Sequence, residues 1–389
     1  MRFDQTILQV IPRLDSGGAE RSTLEIAAAI VQAGGVALVA SSGGRLETDI
    51  QKAGGEIVKM PVHSKNPAVV WSNADRLAKL IRNRGVNLIH ARSRAPAWSA
   101  LMAARRTGAP FVTTFHGAHK AVGPIKRWYN SSLVRSDCVI ANSHYTAGQV
   151  AEVYKVPPAR MRVIPRGVDL DLFDPARVAP SRVEELVESW GAPVENVGLK
   201  VLLPGRLTSW KGHEVAIDAA ATLKTKAGSG KEAGLTLVFC GGAQDNSDYE
   251  KVLRAKIDER GVREMVHMVG DCADMPAAYC WSDIVISPSI RPEAFGRVAV
   301  EAGAMGKPVV AAAHGGALET VVDQESGFLV KPGDAGALAA AIERLAAMPA
   351  EERAIIGENG RARASSLYSA SAMCEATLRV YKDLLSVRG

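Results

Sequence analysis

A chain of 389 residues, 47% hydrophobic and 23% charged, is long enough for two globular domains of ordinary size, each with its own core. No apolar run approaches bilayer-spanning length, which excludes a membrane-spanning helix from the reading. The net charge of +6 is uneven: residues 1–178 carry 24 Lys plus Arg against 13 Asp plus Glu, net +11, and the remainder 23 against 28, net −5.

Thr6 to Pro12 reads as an apolar strand, and Asp15-Ser16-Gly17-Gly18-Ala19-Glu20-Arg21 opens an amphipathic helix running to about Ala33. Gly17 and Gly18, between strand and helix, let backbone amides approach a phosphate or hydroxyl closely. A plain tight turn would need the glycines but not Glu20 and Arg21. The stretch is not G-x-G-x-x-G, and no acidic residue follows at the dinucleotide spacing, so a Rossmann dehydrogenase is disfavoured. Strand-like runs follow at Val36 to Ala40, Glu56 to Met60, Leu88 to Ala91, Pro110 to Phe115, Cys138 to Ala141 and Arg162 to Pro165. Helical patterns lie between them, clearest at Ser72 to Arg84, Ala97 to Thr107 and Ser143 to Tyr154. This alternation predicts a parallel sheet covered on both faces.

His116 ends the run Phe111 to Phe115, at the carboxyl end of a strand, where ligand-facing groups of such sheets cluster. His90 ends another strand and is a weaker candidate, and Asn142-Ser143 reads first as a helix cap. Lys120, Lys126, Arg127 and Arg135, with Trp128 and Tyr129 among them, read either as a solvated helix face or as a contact for an anionic membrane or a phosphorylated glycolipid. Nucleic acid is a weak partner, because no recognised motif accompanies the charge and only 5% of residues are aromatic. Val163 to Asp169, then Phe173-Asp174-Pro175 and a polar stretch to Pro180, give the predicted domain boundary.

The second half restarts the rhythm with Lys200 to Pro204, Leu235 to Cys240, Val266 to Val269, Ile284 to Ser287 and Val309 to Ala312. After the first of these strands come Gly205-Arg206 and Lys211-Gly212; two fixed cations can stabilise a departing diphosphate without a metal. Gly228-Ser229-Gly230-Lys231 fails as a phosphate loop, since Thr225 stands at the earlier glycine position and Glu232 follows the lysine. Gly241-Gly242 suits either a nucleotide base or a tight turn. Arg291 to Ala302 then joins a strand to a helix, with Glu293 in the loop and Glu301 about two turns onward. Between them the amides near Phe295, Gly296 and Arg297 offer an anion site, although an acidic residue at a helix start and one surface glutamate would explain the same residues. Ala335 to Met348, Glu352 to Ser366 and Ser371 to Val387 read as closing helices.

Glu293-x7-Glu301, followed by Gly306-Lys307-Pro308-Val309-Val310, His314-Gly315-Gly316, Glu319 and Ser326-Gly327-Phe328-Leu329-Val330, resembles the nucleotide-sugar site of family 4 glycosyltransferases (glycosyl transferases group 1). These are retaining enzymes of the GT-B fold, and the resemblance extends over nearly the whole chain. It implies an α/β protein with two Rossmann-like parallel-sheet domains facing across a cleft. Domain 1 would cover residues 1–180, with a C-terminal helix at about 371–389 packing back on it, and domain 2 residues 181–370. Arg206 and Lys211 match the family's G-R-x4-K-G cations that grip the donor phosphates. The resemblance further implies that Glu293 holds the donor sugar or its phosphate and Glu301 the ribose hydroxyls. His116, Gly17 and Gly18 would complete the cleft from the other domain. One departure stands out: Asn is common in the family where this chain has Arg166.

The expected activity is therefore metal-independent transfer of a hexose from a UDP- or GDP-linked donor to a glycolipid or oligosaccharide hydroxyl of the cell envelope, lipopolysaccharide core among the candidates. No cofactor besides the donor substrate is expected. A nucleotide-sugar epimerase of the same fold and a catalytically silent nucleotide-sugar-binding partner are the alternatives. The start, Met1 to Gln5, leads into a run too short for a signal peptide, and the five cysteines (Cys138, Cys240, Cys272, Cys280, Cys374) form no C-x-x-C pair. Both observations point to a cytoplasmic location, with peripheral contact at the inner face of the membrane.

Overall fold

In the computed structural model, residues 3–15, 17–117, 123–192, 194, 198–227, 234–243 and 247–387 are described. Lys120 and the Gly228 to Lys231 loop lie outside them. The chain divides into two units, Met1–Gly167 with Ala370–Gly389, and Val168–Ser369.

Unit 1 begins with β1 (Thr6–Val10), α1 (Gly18–Gln32), β2 (Val36–Ser41), α2 (Glu47–Lys52), β3 (Glu56–Lys59) and α3 (Pro67–Asn83). It continues through β4 (Leu88–Ala91), α4 (Arg94–Thr107), β5 (Phe111–Phe115), α5 (Pro124–Asn130), β6 (Cys138–Ala141), α6 (His144–Tyr154) and β7 (Met161–Val163). The strands form a parallel sheet in the order β3-β2-β1-β4-β5-β6-β7. Every residue of β4, β5 and β6 is buried, which is why those runs, His90 apart, are apolar or small without alternation. Local chemistry starts the helices: Asn66 caps α3 ahead of Pro67, and the Ser143 hydroxyl accepts from the Thr146 amide at the head of α6.

Unit 2 begins with α7 (Pro180–Trp190), β8 (Leu199–Pro204), α8 (His213–Ala227), β9 (Leu235–Cys240), α9 (Ser247–Glu259) and β10 (Val266–Met268). Next come α10 (Met275–Trp281), β11 (Ile284–Ser287), α11 (Arg297–Ala304), β12 (Val309–Ala312), α12 (Ala317–Thr320) and β13 (Gly327–Val330). Its parallel sheet runs β10-β9-β8-β11-β12-β13, and α13 (Ala335–Ala347) and α14 (Ala350–Leu367) follow. The last helix, α15 (Ala370–Ser386), belongs to unit 1. Its Met373, Leu378 and Tyr381 share a core with Ile7, Ile140 and Ile164, and the Tyr381 hydroxyl hydrogen-bonds His90 Nδ1 at 2.5 Å.

The division after Gly167 precedes the Pro180 boundary expected from composition. Val168, Phe173 and Val178 pack in the core of unit 2, and the Val168 amide donates to the Tyr368 carbonyl, so the polar stretch is anchored there. In both sheets the strand order reverses beside the first strand, between β1 and β4 and between β8 and β11, and ligands of open α/β sheets bind beyond the carboxyl ends at such points.

Candidate active site

At the reversal point of unit 2, three loops converge on Glu293. The β8–α8 loop brings Lys211, the β11–α11 loop carries Ser289 and Glu293, and the β12–α12 loop carries His314 to Gly316. Glycines make the convergence possible. Gly212 has φ +83, and a Cβ there would lie 1.9 Å from the Pro288 carbonyl oxygen. Gly315 has φ +60, and a Cβ there would lie 2.4 Å from the Glu293 carbonyl oxygen. Backbone bonds fasten the loops together: Ile290 donates to Trp210 O at 2.8 Å and Gly316 to Glu293 O at 2.8 Å.

Lys211 Nζ lies 2.8 Å from Glu293 Oε1, with the two side chains 14% and 15% exposed. Ser289 Oγ donates to the same carboxylate at 2.5 Å, and Lys211 Nζ also stands 4.8 Å from the Trp210 ring centroid. Burial pushes the Glu293 carboxyl up, but the Lys211 charge and hydrogen bond, with Ser289 and His314, outweigh it and hold the carboxyl below its ordinary value. The His314 Nε2–H donates to the Ser289 carbonyl at 2.8 Å, and burial lowers its pKa against the opposing pull of the Ser289 bond and the Glu293 charge. Directly after Lys211 and Gly212, His213 is fully buried against Phe239; burial and then the Lys211 charge push it down to about 4. Arg206, exposed, sits on the β8–α8 loop with Lys211.

Glu301 is buried on α11 and engaged at both oxygens: Arg297 Nε donates to Oε1 at 3.0 Å and the Tyr279 hydroxyl to Oε2 at 3.0 Å. Gly296 caps α11 with φ +84 and without a side-chain cap bond, while the Phe295 ring is buried against Tyr368. The Phe295-Gly296-Arg297 stretch therefore offers backbone rather than a phenyl ring to a ligand. Ser289 and Tyr279 did not emerge from the sequence as site residues. Ser289 stands four residues before Glu293 in the same loop, a usable signal, whereas nothing distinguishes Tyr279 from any other apolar-helix aromatic.

In unit 1, Gly17 caps α1 and Gly18 begins it, after the loop that follows β1. His116 follows β5, and its Nδ1 lies 2.9 Å from Arg166 Nη2. Because guanidinium only donates, Nδ1 accepts and the proton of the neutral ring sits on Nε2. Arg166, the departure from the family pattern, thus orients His116. His90 is buried between Tyr381 and Thr114, its pKa depressed well below the usual value by burial and then by the Arg92 charge; it ties β4 to α15. Gly241 and Gly242 form a turn whose Gly242 amide donates to Asp271 at 2.8 Å.

A second feature of unit 1 is a cavity of about 950 Å³ lined by Lys65, Arg94, Lys126, Trp128, Tyr129 and Asn130 among others. Trp128 stacks on Trp98 at 4.7 Å, yet it is 59% exposed and Ile125 beside it 82% exposed. Among the described residues no group of three His, Cys, Asp or Glu could hold a metal, and no helix is long and apolar enough to cross a membrane.

Two doubly wound parallel sheets, each with polar loops gathered at its reversal point, define an α/β protein of the GT-B class. Residues 16–172 match Glycosyltransferase Family 4 and residues 193–363 match Glycosyl transferases group 1. A D-inositol 3-phosphate glycosyltransferase of Salinispora arenicola is 34% identical over 78% of this chain and 70% of its own length. The crystal structure of a glycosyltransferase from Rickettsia africae superposes with TM-score 0.89 at 36% identity, covering 98% of this chain and 99% of that one. Anabaena HepE in complex with UDP-glucose superposes with TM-score 0.81 at 26% identity, covering 97% and 99%. The chain belongs to the family 4 glycosyltransferases of the GT-B fold. It is a glycosyltransferase.

Proposed function

We propose that this enzyme moves a hexose, with retention at the anomeric carbon, from a nucleotide diphosphate sugar to a hydroxyl of a phosphorylated acceptor, an envelope glycolipid or oligosaccharide. The observation that carries the reading is the largely enclosed Lys211–Glu293 pair at the reversal point of the unit 2 sheet. Lys211 and Arg206 stabilise the diphosphate as charge develops on it, a role for which two fixed cations suffice without a metal. Glu293, ionised and fixed by Lys211 and Ser289, accepts hydrogen bonds from the donor sugar, and Glu301 accepts from the ribose hydroxyls. The amides at Phe295, Gly296 and Arg297 face the phosphates, and Gly17, Gly18 and His116 belong to the acceptor side.

UDP-glucose is the favoured donor, because HepE is described in complex with it at 26% identity. A phosphate on the acceptor is favoured by two findings. Relatives are named for D-inositol 3-phosphate, and the unit 1 cavity presents Lys65, Arg94 and Lys126 beside Trp128 and Tyr129. The exposed Ile125 and Trp128 suit an acceptor carried at an anionic membrane surface, lipopolysaccharide core included, with the enzyme on the cytoplasmic side.

The test is an incubation with UDP-glucose or GDP-mannose and a panel of phosphorylated and unphosphorylated polyols and glycolipids in EDTA. Proton NMR of the product should show the α-linkage of the donor retained on a phosphorylated acceptor. A β-linked product, or transfer that ignores the acceptor phosphate, would overturn the proposal.

A further inference from the structure

Cys240 and Cys272 are far apart in sequence, and the unit 2 sheet brings them together. Cys240 is the last residue of β9, and Cys272 stands in the loop after β10, whose Met268 is in parallel register with Phe239 of β9. The Val269 amide extends that pairing by donating to Phe239 O at 3.1 Å, and Gly242 donates to Asp271 Oδ1 at 2.8 Å, so the two loops leave the sheet side by side. Both cysteines pack into the same apolar core as free thiols, and the Cys240 Sγ–H donates to Cys272 Sγ.

The pair is asymmetric. Cys240 is 2% exposed, whereas Cys272 is partly open to solvent. The Cys240 hydrogen bond, with help from the Asp274 amide, outweighs burial and holds the Cys272 thiol below its ordinary value. The same bond, and then burial, push the Cys240 thiol up. The Asp274 carboxylate opposes ionisation of Cys272, but Arg182 Nη2 donates to that carboxylate at 2.8 Å and offsets its charge. Burial raises the other three thiols, Cys138 to about 11, Cys374 to about 12 and Cys280 less far. An accessible thiolate beside a buried thiol is the arrangement in which a peroxide reacts at one sulfur and the second sulfur resolves the product.

We infer that Cys240 and Cys272 form a reversible redox modification site that takes hydrogen peroxide as its substrate and closes as an intramolecular disulfide. The Cys272 thiolate attacks one peroxide oxygen; an S–O bond forms, the O–O bond breaks, and the hydroxide that leaves becomes water with the proton Cys272 released. Cys240 then attacks the sulfenic sulfur of Cys272, an S–S bond replaces the S–O bond, and the second hydroxide leaves as water with the Cys240 proton. Two thiols lose two electrons and one peroxide gains them; a dithiol reductant reverses the closure. The Cys240 carbonyl accepts from the Gly205 amide at 2.9 Å and the Gly242 carbonyl from the Leu207 amide at 3.1 Å, on either side of Arg206. Drawing Cys240 toward Cys272 strains both bonds and loosens the loop that carries Arg206 and Lys211. That this weakens the hold on a donor diphosphate rests on the function proposed above.

The test uses the full-length protein, reduced, desalted and treated with hydrogen peroxide, beside Cys240→Ala and Cys272→Ala. Non-reducing mass spectrometry should find a peptide linked through Cys240 and Cys272 and three free thiols in place of five, with all five restored by dithiothreitol. Cys240→Ala should stop at a Cys272 sulfenic acid that dimedone traps, and Cys272→Ala should consume peroxide at least about tenfold more slowly than the unaltered chain. Hydrogen exchange at the Gly205 and Leu207 amides should quicken on oxidation of the unaltered protein and not of Cys272→Ala. In the same samples the donor KM should rise about tenfold and return on reduction. Peroxide that oxidises another cysteine first, or an unaltered protein in which Cys272 is oxidised and Cys240 leaves it unresolved, would overturn the inference. A linked peptide with unchanged exchange at Gly205 and Leu207 would overturn the coupling to the Arg206 loop. Linkage and altered exchange in a protein that no nucleotide sugar binds would refute the donor reading alone.

Discussion

Replacing Lys211 by Met separates the electrostatic account of the site from simple packing. Lys211 and Glu293 are 2.8 Å apart with side chains only 14% and 15% exposed, so removing the cation leaves a desolvated carboxylate supported by Ser289 and His314 alone. Breaking a buried pair from one side costs about 3–5 kcal/mol, and the residual exposure here favours the lower end, about 3 kcal/mol at pH 7. In the unaltered protein the Glu293 pKa is lowered, so the pair's stabilisation is present above the ordinary glutamate value of 4.5 and is lost as pH falls through the folded value. In the variant, burial is opposed only by Ser289 and His314, so that pKa rises relative to the unaltered protein, and the stability gap is widest at neutral pH and narrows toward pH 4.5. The double substitution Lys211→Met with Glu293→Gln removes both charges and should return to within about 1 kcal/mol of the unaltered protein. Activity should fall about 10²- to 10³-fold in the single variant and stay low in the double one. Urea unfolding at pH 7 and pH 4.5 reads the stabilities. A single variant as stable as the parent at pH 7, or a double variant no better than the single, would refute the reasoning.

His213, depressed from 6.5 to about 4, is neutral in the folded protein and protonates in the unfolded chain, so stability drops as pH falls from about 6.5 to about 4. The drop is about 3 kcal/mol at 1.36 kcal/mol per unit, and His213→Phe should lose that much less over the same interval in urea titrations. Gly315→Ala forces a Cβ to 2.4 Å from the Glu293 carbonyl at φ +60 and should cost about 2 kcal/mol or more, with a larger loss of turnover than Gly333→Ala, where no atom lies within 4 Å of the added Cβ. Tyr279→Phe leaves Glu301 Oε2 without its 3.0 Å donor, costs about 1–3 kcal/mol in stability, and should raise the donor KM more than it lowers kcat.

Many of the central strands were legible because they are buried on both faces, whereas the order in which they pair comes from the fold. Leu88 to Ala91, Cys138 to Ala141, Leu235 to Cys240, Ile284 to Ser287 and Val309 to Ala312 have the observed bounds, since a run with no polar face leaves few alternatives. Edges were less legible: Glu56 to Met60 and Arg162 to Pro165 were displaced by a residue or two, because pairing decides where an edge strand ends. The domain division was misplaced because composition marks Pro180 as polar linker, whereas Phe173 and Val178 find apolar partners only in three dimensions. Lys211 and Glu293 are 82 residues apart, and no local pattern pairs them; Gly212 and Gly315 permit the contact, and each end was named only through its own motif of the family resemblance. Tyr279 and Arg92 were silent, the first because a buried tyrosine in a helix looks like core, the second because burial of a charge is visible only in the fold.

The central claim is that unit 2 holds a nucleotide diphosphate sugar through Lys211, Glu293 and Glu301. Thermal unfolding in EDTA with UDP, GDP, ADP and their common sugar conjugates tests it most directly. The account predicts saturable stabilisation by one nucleotide family, about 2.7 kcal/mol at a hundredfold excess over Kd, and its loss in Glu301→Ala. A melting curve that no nucleotide moves, in a protein whose parent form is fully folded, would contradict it.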